Sequence, residues 1–544
     1  MKKQIFLFCC LSIIVFALPV IAGEGQSNLS VDGAFFNGFT ENGARNTLSP
    51  SLKVEPGMSN VSVIELDPLP ENTLQSIVDE ESLPQRIGIS RDINQLASED
   101  MISSVLSWSP LSGGGHVGGV QIISPSAAAV RIGIKVEKLP EEAELRFYEA
   151  SNQIDPGKSL VVTGEHILNI LDLNQNAEPD NPDSAIYWSP TIEGGAVGLE
   201  IYLPSGLDTN EVKITIPYLS HMAVSPFSSS NTSPVLQGYG DSNPCQNDAT
   251  CHSSWLNMRR ATAKMLFTAS GGSYICTGTM LNDIDTTTAI PYFISANHCI
   301  STQAVASTLE THWFFESATC NSSSLSSSYQ VKSGGATLLW TEGMTSTQND
   351  SSKDTSFFRL NDSAPSGIYF AGWNADPMPS GGKTGVHHPE GDWKKISFGS
   401  YATMYSCWST GDGSFSCKPS ANGSFAFINW ADGGTEGGSS GSGIFHNNDQ
   451  LIGDLTGGSG SCGGSTSDPD FAVRTARSAR CQSAVGNRPV CVCCCGARPR
   501  ESGSGSVDRG LRWSLRPHDH SRSCQPAGRG WTVAASSGND RHHR

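Results

Sequence analysis

Residues 238–471 contain many short apolar segments that are separated at close intervals by turn-forming residues. Gly, Asn, Asp and Ser interrupt these segments, and no long pattern with a helical period of 3.6 residues is evident. Such spacing is typical of an all-β barrel or sandwich. We therefore predict an all-β domain built from the segments KMLFTA, YICTGTML, AIPYFISA, THWFFES, ATLLW, TSFFRL, IYFAGW, FAFINW and LIGDL.

The cysteines indicate the same division of the chain. After Cys10 the next cysteine is Cys245, and eight occur from there to Cys462. A separate cluster runs from Cys481 to Cys524. An even set of cysteines in an exported domain predicts disulfides. The long stretch without cysteine and the stretch with eight are therefore predicted to be different domains.

Residues 1–22 have the features of a secretory signal peptide. Lys2 and Lys3 precede a short apolar run, and small residues at its end offer a cleavage site. The run is too short to favour a transmembrane anchor. We expect a secreted protein, extracellular or periplasmic, without a membrane anchor once the signal is removed.

Residues 23–237 are predicted to form a β-rich pro-region, in a sandwich-like arrangement. Its later part contains the strand-like runs AAAVRIGIKVEKL, AELRFYEA, AVGLEIYLPS and EVKITIPYL, and it has no set of residues suited to catalysis. The polar stretch VSPFSSSNTSPVLQGYGDSNP then reads as an exposed linker.

Residues 472–544 differ from the rest of the chain. They contain 13 arginines and no lysine, and the run CVCCCGARPR has no usual zinc-ligand spacing. A metal-binding cluster, a disordered basic tail and a segment read in a shifted frame are three interpretations. We predict that this atypical tail is not the native ending of the fold.

Three separate residues supply the parts of a nucleophilic site. His298 lies beside Cys299, and a disulfide from Cys299 to Cys276 would fix the backbone under this histidine. Asp354 stands at the start of an apolar strand, and Ser440 lies in the glycine-rich run GGSSGSGIF. That run alone favours a linker. The order His, Asp, Ser instead favours a hydroxyl nucleophile, an imidazole base and an orienting carboxylate.

These motifs identify a family resemblance. Residues 238–471 resemble the lysyl endopeptidase branch of the trypsin-like serine proteases, through SANHC, DTSFF, GGSSGSGIF, AGWNADP and GVHHPEGDWKKIS. The resemblance implies a chymotrypsin-like double β-barrel with His298, Asp354 and Ser440 as the catalytic triad. It also implies an oxyanion hole from the N–H groups of Gly438 and Ser440. We interpret the adjacent histidines of GVHHPEG as structural, and we expect neither metal nor cofactor.

Two positions of the nucleophile loop depart from known patterns. Gly443 stands where this family usually has proline. Ser439 stands where trypsin has the aspartate that pairs with its new N-terminal amine, and a serine cannot form that ion pair. Activation is therefore expected not to depend on such a salt bridge.

The disulfide pairing rests on the resemblance, because eight cysteines allow 105 pairings on sequence grounds. The family's three disulfides map to this chain, and two remaining cysteines form an additional local pair. The four expected bonds are Cys245–Cys462, Cys251–Cys320, Cys276–Cys299 and Cys407–Cys417.

The resemblance also implies a pocket for a lysine side chain. Asp470 is the preferred pocket carboxylate because it precedes an aromatic residue as in the family, with Asp468 as the alternative. Either one could instead be a solvated loop residue. Gly457 and Gly458 are expected to lie along the substrate backbone. Thr456 stands where the family often has histidine, and specificity for glutamate is a minor alternative.

The combined prediction is a secreted, monomeric serine endopeptidase that cleaves protein or peptide substrates after lysine through an acyl-enzyme. Its own pro-region is the other expected partner. A formal net charge of −17 argues against nucleic-acid binding through a basic surface. The rival hypothesis is an inactive binding or adhesion protein on the same fold.

Overall fold

The structure is a computed structural model that describes most of the two predicted domains. The described residues are 30–36, 61–70, 72–73, 77, 83–150, 159–227, 242–285, 288–411, 413–446, 450–458, 468–474 and 531–533. The predicted signal peptide, residues 1–22, lies outside them. Within the described residues, no helix is both long enough and apolar enough to cross a membrane.

In the part of the chain that the structure describes, fourteen strands precede the linker. In chain order they are β1 (Ser30–Val31), β2 (Ala34–Phe35), β3 (Ser62–Glu65), β4 (Gln85–Arg86), β5 (Gly88–Asp92), β6 (Ser109–Pro110), β7 (His116–Ile123), β8 (Ala129–Lys138), β9 (Glu144–Glu149), β10 (Leu160–Thr163), β11 (Ile186–Trp188), β12 (Ile192–Glu193), β13 (Ala196–Leu203) and β14 (Lys213–Met222).

Most of these strands belong to two sheets that share one apolar core. One sheet has the order β10-β9-β13-β7-β3, with β6 on β7, and the other has the order β11-β8-β14-β5, with β12 on β8. Alternate residues of β7, β8 and β13 point into the core, where Val120, Ile132 and Leu199 are fully buried. The pro-region is therefore β-rich, with two sheets facing each other.

Among the elements whose bounds the structure describes, four are α-helices. They are α1 (Glu99–Val105), α2 (Gly164–Ala177), α3 (Leu256–Ala261) and α4 (Gln303–Ala306). Thr163 caps α2, because its Oγ1 accepts a hydrogen bond from the N–H of His166 at 3.2 Å. Ile167, Ile170 and Leu171 of α2 then pack on the pro-region core. The 3₁₀ turns are Asn94–Leu96, Pro182–Ala185, Thr209–Glu211, Ala249–Cys251, Ser253–Trp255 and Pro389–Gly391.

Among the residues described after the linker, eighteen strands are present. They are β15 (Asn247–Asp248), β16 (Thr262–Ala269), β17 (Gly272–Leu281), β18 (Tyr292–Ser295), β19 (Glu310–Trp313), β20 (Gln330–Lys332), β21 (Ala336–Glu342), β22 (Thr355–Leu360), β23 (Tyr369–Phe370), β24 (Gly372–Asn374), β25 (Gly382–His387), β26 (Lys395–Ser409), β27 (Phe415–Pro419), β28 (Phe425–Asp432), β29 (Gly443–His446), β30 (Gln450–Gly458), β31 (Asp468–Arg474) and β32 (Trp531–Val533).

These strands build two barrels, as predicted. The first has the order β20-β19-β16-β17-β18-β22-β21 around a core that includes Phe267, Phe293 and Phe358. The second is a ring in which β25, β26, β28, β31, β30 and β29 pair in turn and β29 returns to β25. The expectation of an all-β fold with a β-rich region before the barrels is confirmed.

Three short strands of the pro-region pair with protease strands instead of with their own sheets. β1 pairs with β24, β2 pairs with β23, and β4 pairs with β17. One pro-region side chain also enters the first barrel: Nη1 of Arg131 donates to the carbonyl oxygen of Thr308 at 2.9 Å. The two regions thus share hydrogen-bonded sheets and buried polar contacts.

Candidate active site

His298 lies just after β18, where a disulfide fixes the backbone. Cys299 is bonded to Cys276 of β17, and the N–H of Cys299 donates to the carbonyl oxygen of Ala296 at 3.3 Å. The disulfide therefore ties the turn that carries His298 to the neighbouring strand. Cys276, His298 and Cys299 lie as close together as metal ligands, but both sulfurs belong to the disulfide and offer no thiolate.

Asp354 precedes β22 and holds both the backbone and the ring of His298. Its Oδ1 accepts from the N–H of His298 at 2.9 Å, and its Oδ2 contacts Nδ1 of the ring at 2.7 Å. Because a carboxylate only accepts hydrogen bonds, Nδ1 carries the proton and Nε2 of the neutral ring is free to accept one. Within the described residues, this Nε2 is buried and has no hydrogen-bond partner.

Ser440 lies in a tight loop before β29, and that loop packs against β17. The carbonyl oxygen of Ser440 accepts from the N–H of Thr277 at 2.9 Å, and the N–H of Gly441 donates to the carbonyl oxygen of Leu455 at 2.7 Å. A Cβ at Gly441 would come within 2.7 Å of the backbone nitrogen of Ala296. The serine loop and the turn that carries His298 therefore meet at β17.

The backbone beside Ser440 has the features of an anion-binding turn. Gly438 has φ +84° and Gly441 has φ +79°, a conformation that favours glycine. The carbonyl oxygen of Gly438 accepts from Oγ1 of Thr277 at 2.8 Å. In the described part of the chain, the N–H groups of Gly438 and Ser440 donate to no internal acceptor. The two groups are suited to stabilise a developing oxyanion.

Three neighbouring strands of the second barrel, β28, β31 and β30, contain or border the expected pocket residues. In the strand register, Asp470 of β31 lies opposite Gly458 of β30 and opposite Ile428 of β28. Gly457, also on β30, has φ +153°. Asp468, two residues before Asp470, lies opposite Trp430 at the end of the same pairing. The side chains of both aspartates lie outside the described atoms.

Three of the four expected disulfides lie within the described residues. The bonds Cys251–Cys320, Cys276–Cys299 and Cys407–Cys417 are present, the last between partner positions of β26 and β27. Cys245 is also disulfide-bonded, but its expected partner Cys462 lies outside the described residues.

Asp454 is a buried carboxyl of β30 that was not predicted from the sequence. Its Oδ1 accepts from Oγ1 of Thr355 at 2.8 Å, and its Oδ2 has no hydrogen-bond partner among the described residues. Burial raises the pKa of Asp454 well above its usual value, and the nearby charge of Asp354 raises it further. The signal in the sequence is a single acidic residue inside the apolar run LIGDL.

A pro-region segment that was also not predicted lies beside the serine loop. Gln85 and Arg86 of β4 pair antiparallel with Ile275 and Tyr274 of β17, directly before Cys276. The N–H of Ile87 donates to the carbonyl oxygen of Ser273 at 2.8 Å. The segment therefore adds a strand to the protease sheet, as an extended peptide does in β-strand addition.

The start of this segment lies on the far side of the serine loop, next to β27 and β30. Leu83 packs on an apolar cluster that includes Phe415, and a Cβ at Gly457 would lie 4.0 Å from Cδ1 of Leu83. The side chain of Gln85 packs against Gly437, three residues before Ser440. Residues 83–86 thus run from β30, past the serine loop, to β17.

Comparison with known proteins identifies the family. Residues 64–223 match the N-terminal domain of lysyl endopeptidase, and residues 239–471 match its C-terminal domain. The chain is 32% identical to a lysyl endopeptidase of Pseudomonas aeruginosa over 404 residues, which is 71% of this chain and 77% of the relative. The chain belongs to the lysyl endopeptidase family. It is therefore a serine endopeptidase with a chymotrypsin-like fold.

Solved structures of serine proteases also resemble part of the chain. The thermostable serine protease AL20 from an extremophilic microorganism is 12% identical, with a TM-score of 0.25, and covers 40% of this chain and 91% of its own length. The protease Anisep from Arthrobacter nicotinovorans is 15% identical, with a TM-score of 0.26, and covers 40% and 90%.

Proposed function

We propose that this lysyl endopeptidase family member hydrolyses peptide bonds after lysine through an acyl-enzyme on Ser440. The observation that carries the proposal is the His298–Asp354 pair. Asp354 accepts a hydrogen bond from the ring proton on Nδ1, so that in the neutral imidazole the buried Nε2 is the acceptor. An imidazole in this tautomer can take the proton of a serine hydroxyl.

The proposed reaction has two halves. Oγ of Ser440 attacks the substrate carbonyl carbon while Nε2 of His298 takes the hydroxyl proton, and the N–H groups of Gly438 and Ser440 stabilise the oxyanion. The imidazolium then protonates the leaving amine as the C–N bond breaks, which leaves an ester on Ser440. A water molecule, deprotonated by His298, attacks this ester and releases the acid.

Replacement of Ser440 tests the proposed nucleophile. Ser440→Ala removes the attacking oxygen, so kcat for a lysyl ester should fall by about 10⁴- to 10⁶-fold with the fold intact. Ser442→Ala is the matched control, because this nearby buried serine is not proposed to react and should keep most of the activity. Unchanged turnover by Ser440→Ala would overturn the assignment and favour an inactive binding protein with a contaminating activity.

We propose Asp470 as the carboxylate that pairs with the lysine side chain of the substrate. Asp470 lies opposite Gly458 of β30, and β30 is the strand expected to pair with the substrate backbone. This position supports the proposed role. An ammonium group without a partner would be costly to bury. Asp470→Asn should therefore lose lysyl ester hydrolysis far more than hydrolysis of a neutral ester. If Asp468→Asn shows that selective loss instead, the pocket carboxylate is Asp468. A wild-type enzyme that prefers a glutamyl ester would refute lysine specificity.

We further propose that the chain is made as a secreted precursor whose pro-region closes the cleft. The contacts of Leu83 with the Phe415 cluster and of Gln85 with Ile275 support this arrangement. Release of the pro-region is expected in the linker near Gly238 or Gly240. No lysine lies in that linker, so another protease or another specificity must act there. N-terminal sequencing of the mature protein tests this site, and a start at Ile214, after Lys213, would contradict it.

A further inference from the structure

The residue before the proposed nucleophile, Ser439, is fully buried and contacts His387 of β25. Its Oγ lies 2.8 Å from Nδ1 of His387 and accepts from the N–H of Glu436 at 3.2 Å. The N–H of Ser439 in turn donates to the carbonyl oxygen of Glu436 at 3.0 Å. Ser439 therefore closes the turn that contains Gly438.

His387 connects this turn to the barrel wall. It is the last residue of β25, it is fully buried, and its Nε2 lies 3.1 Å from Oγ of Ser397 on the adjacent strand β26. Oγ of Ser397 lies 2.7 Å from the carbonyl oxygen of Gly434 and also accepts from the N–H of Gly434 at 3.1 Å. The chain of hydrogen bonds thus contacts both ends of the segment from Gly434 to Ser439.

The chemistry of the partners fixes the direction of each hydrogen bond. A carbonyl oxygen only accepts, so the single hydroxyl proton of Ser397 goes to Gly434. Ser397 must then accept from His387, which places the ring proton of His387 on Nε2. Nδ1 is left as an acceptor, and the hydroxyl of Ser439 donates to it. Burial, with a smaller effect from the charge of Lys395, lowers the pKa of His387 to about 3, in agreement with a neutral ring.

We propose that His387 and Ser397 are positioning residues that hold Ser439, and through it the oxyanion-binding turn, by neutral hydrogen bonds. This inference rests on the proposed role of Ser440. Hydrogen bonds hold both ends of the turn, in which Gly438 has φ +84°, and within the described residues the N–H groups of Gly438 and Ser440 donate to no internal acceptor. Every member of this network is an internal residue, so the turn needs no newly formed N-terminal amine.

The test compares turnover with substrate binding in enzyme matured from the full chain. Ser439→Ala removes one buried oxygen and the donor to His387. We expect kcat for a lysyl ester to fall by about 10- to 1000-fold, up to the effect of losing one oxyanion donor. KM should stay within about threefold, because the substrate side chain binds elsewhere. A peptide aldehyde ending in lysine, which forms a tetrahedral adduct, should lose affinity by the same factor as kcat.

A double-mutant cycle separates this network from general damage. His387→Gln should lower kcat in the wild type and add little in the Ser439→Ala background, since the shared hydrogen bond is already absent. His312→Gln is the matched control: His312 is equally buried, its Nδ1 contacts the hydroxyl of Tyr329 at 2.8 Å in the first barrel, and it should lose stability but keep kcat. If His387→Gln does not fold, Ser439→Ala alone still carries the test.

The outcomes distinguish the two proposals. If the wild type does not hydrolyse the ester, the proposed function fails. If the wild type is active and Ser439→Ala retains kcat and aldehyde affinity, the positioning role is refuted. Equal losses of kcat in His387→Gln and His312→Gln, or additive losses in the cycle, would also refute it, because they would indicate a structural effect alone.

Discussion

At the scale of residues, two neighbouring carboxyls of the site have different environments. Asp354 accepts two hydrogen bonds from His298, at 2.9 and 2.7 Å. Asp454 is buried and accepts a hydrogen bond from Thr355, and its Oδ2 has no hydrogen-bond partner among the described residues. Hydrogen-bond donors favour an ionised carboxylate, whereas burial favours the protonated acid. Burial therefore raises the pKa of Asp454 and favours its protonated form, beside the carboxyl that orients His298.

The protonation of Asp454 makes a prediction about stability and pH. Its pKa is raised in the folded state, so above its usual value of 3.8 the unfolded chain binds fewer protons than the folded one. Stability from this group is therefore complete below pH 3.8 and is lost as pH rises towards the folded pKa. Asp454→Asn keeps an acceptor for Thr355 and removes the titration. We expect the free energy of unfolding of Asp454→Asn minus that of the wild type, measured in urea, to increase from pH 4 to pH 8. A difference that does not change with pH would contradict this.

At the scale of elements, the serine loop depends on a glycine that has no space for a side chain. A Cβ at Gly441 would overlap Oγ of Ser295 and lie 2.6 Å from the carbonyl oxygen of Thr277, at φ +79°. Gly413, at φ +81°, would meet nothing within 4 Å. Gly413→Ala should therefore cost only about 1–2 kcal/mol of stability, from the backbone conformation.

Gly441→Ala adds a steric displacement of the loop to the same backbone strain. We expect a larger loss of stability than in Gly413→Ala, and a fall in kcat of about 100-fold or more, because a shift of about 1 Å in a reacting group can have that effect. Thermal unfolding and ester hydrolysis of both variants measure this. Equal effects in the two variants would show that the contact with Ser295 and Thr277 does not position the loop.

Local patterns predicted many of the described strands, but not the pairings between distant elements. KMLFTA and YICTGTML lie in β16 and β17, and TSFFRL is β22, because apolar alternation depends only on neighbours in the chain. β4 has two residues, and its partner lies almost 200 positions later. A strand so short and so distant from its partner leaves no periodic signal. The hydrogen bonds of His387 with Ser397 and Ser439 also left no signal in the sequence, because the two serines lie in other elements than His387.

At the scale of the whole molecule, the pro-region is joined to the protease domain through shared sheets. Leu83 places an apolar side chain on the Phe415 cluster at one wall of the cleft. Leu83→Asp would place a charge on this apolar surface, which is unfavourable without a partner. We expect the Leu83→Asp precursor, with its pro-region uncut, to hydrolyse a small lysyl ester faster than the wild-type precursor does.

The matched control for Leu83→Asp lies on the outer surface of the pro-region. Val63 of β3 is 52% exposed, so Val63→Asp should leave the low activity of the precursor unchanged. Gel analysis during the assay confirms that the pro-region stays uncut. Equal ester hydrolysis by the Leu83→Asp precursor and the wild-type precursor would contradict the proposal that residues 83–86 close the cleft.

The chain continues beyond residue 471, the last residue that matches the family. Ala472 of β31 is buried in the second barrel, so the strand continues past residue 471, where the family match ends. Beyond it, the change to arginine without lysine and the crowded cysteines keep our prediction that residues 472–544 are not the native ending. Resequencing the gene across the codons for residues 470–480 tests this. An intact reading frame with an ordered, protease-resistant tail would show it to be a genuine domain.

The most direct measurement of the central claim is labelling of the mature protein with a fluorophosphonate, followed by peptide mapping. This probe phosphonylates a serine only where a base activates the hydroxyl and N–H groups stabilise the adduct. We expect one modified residue, Ser440, with labelling lost in both Ser440→Ala and His298→Ala. Labelling of Ser439 or Ser442, or no labelling of a protein that still hydrolyses lysyl esters, would contradict it.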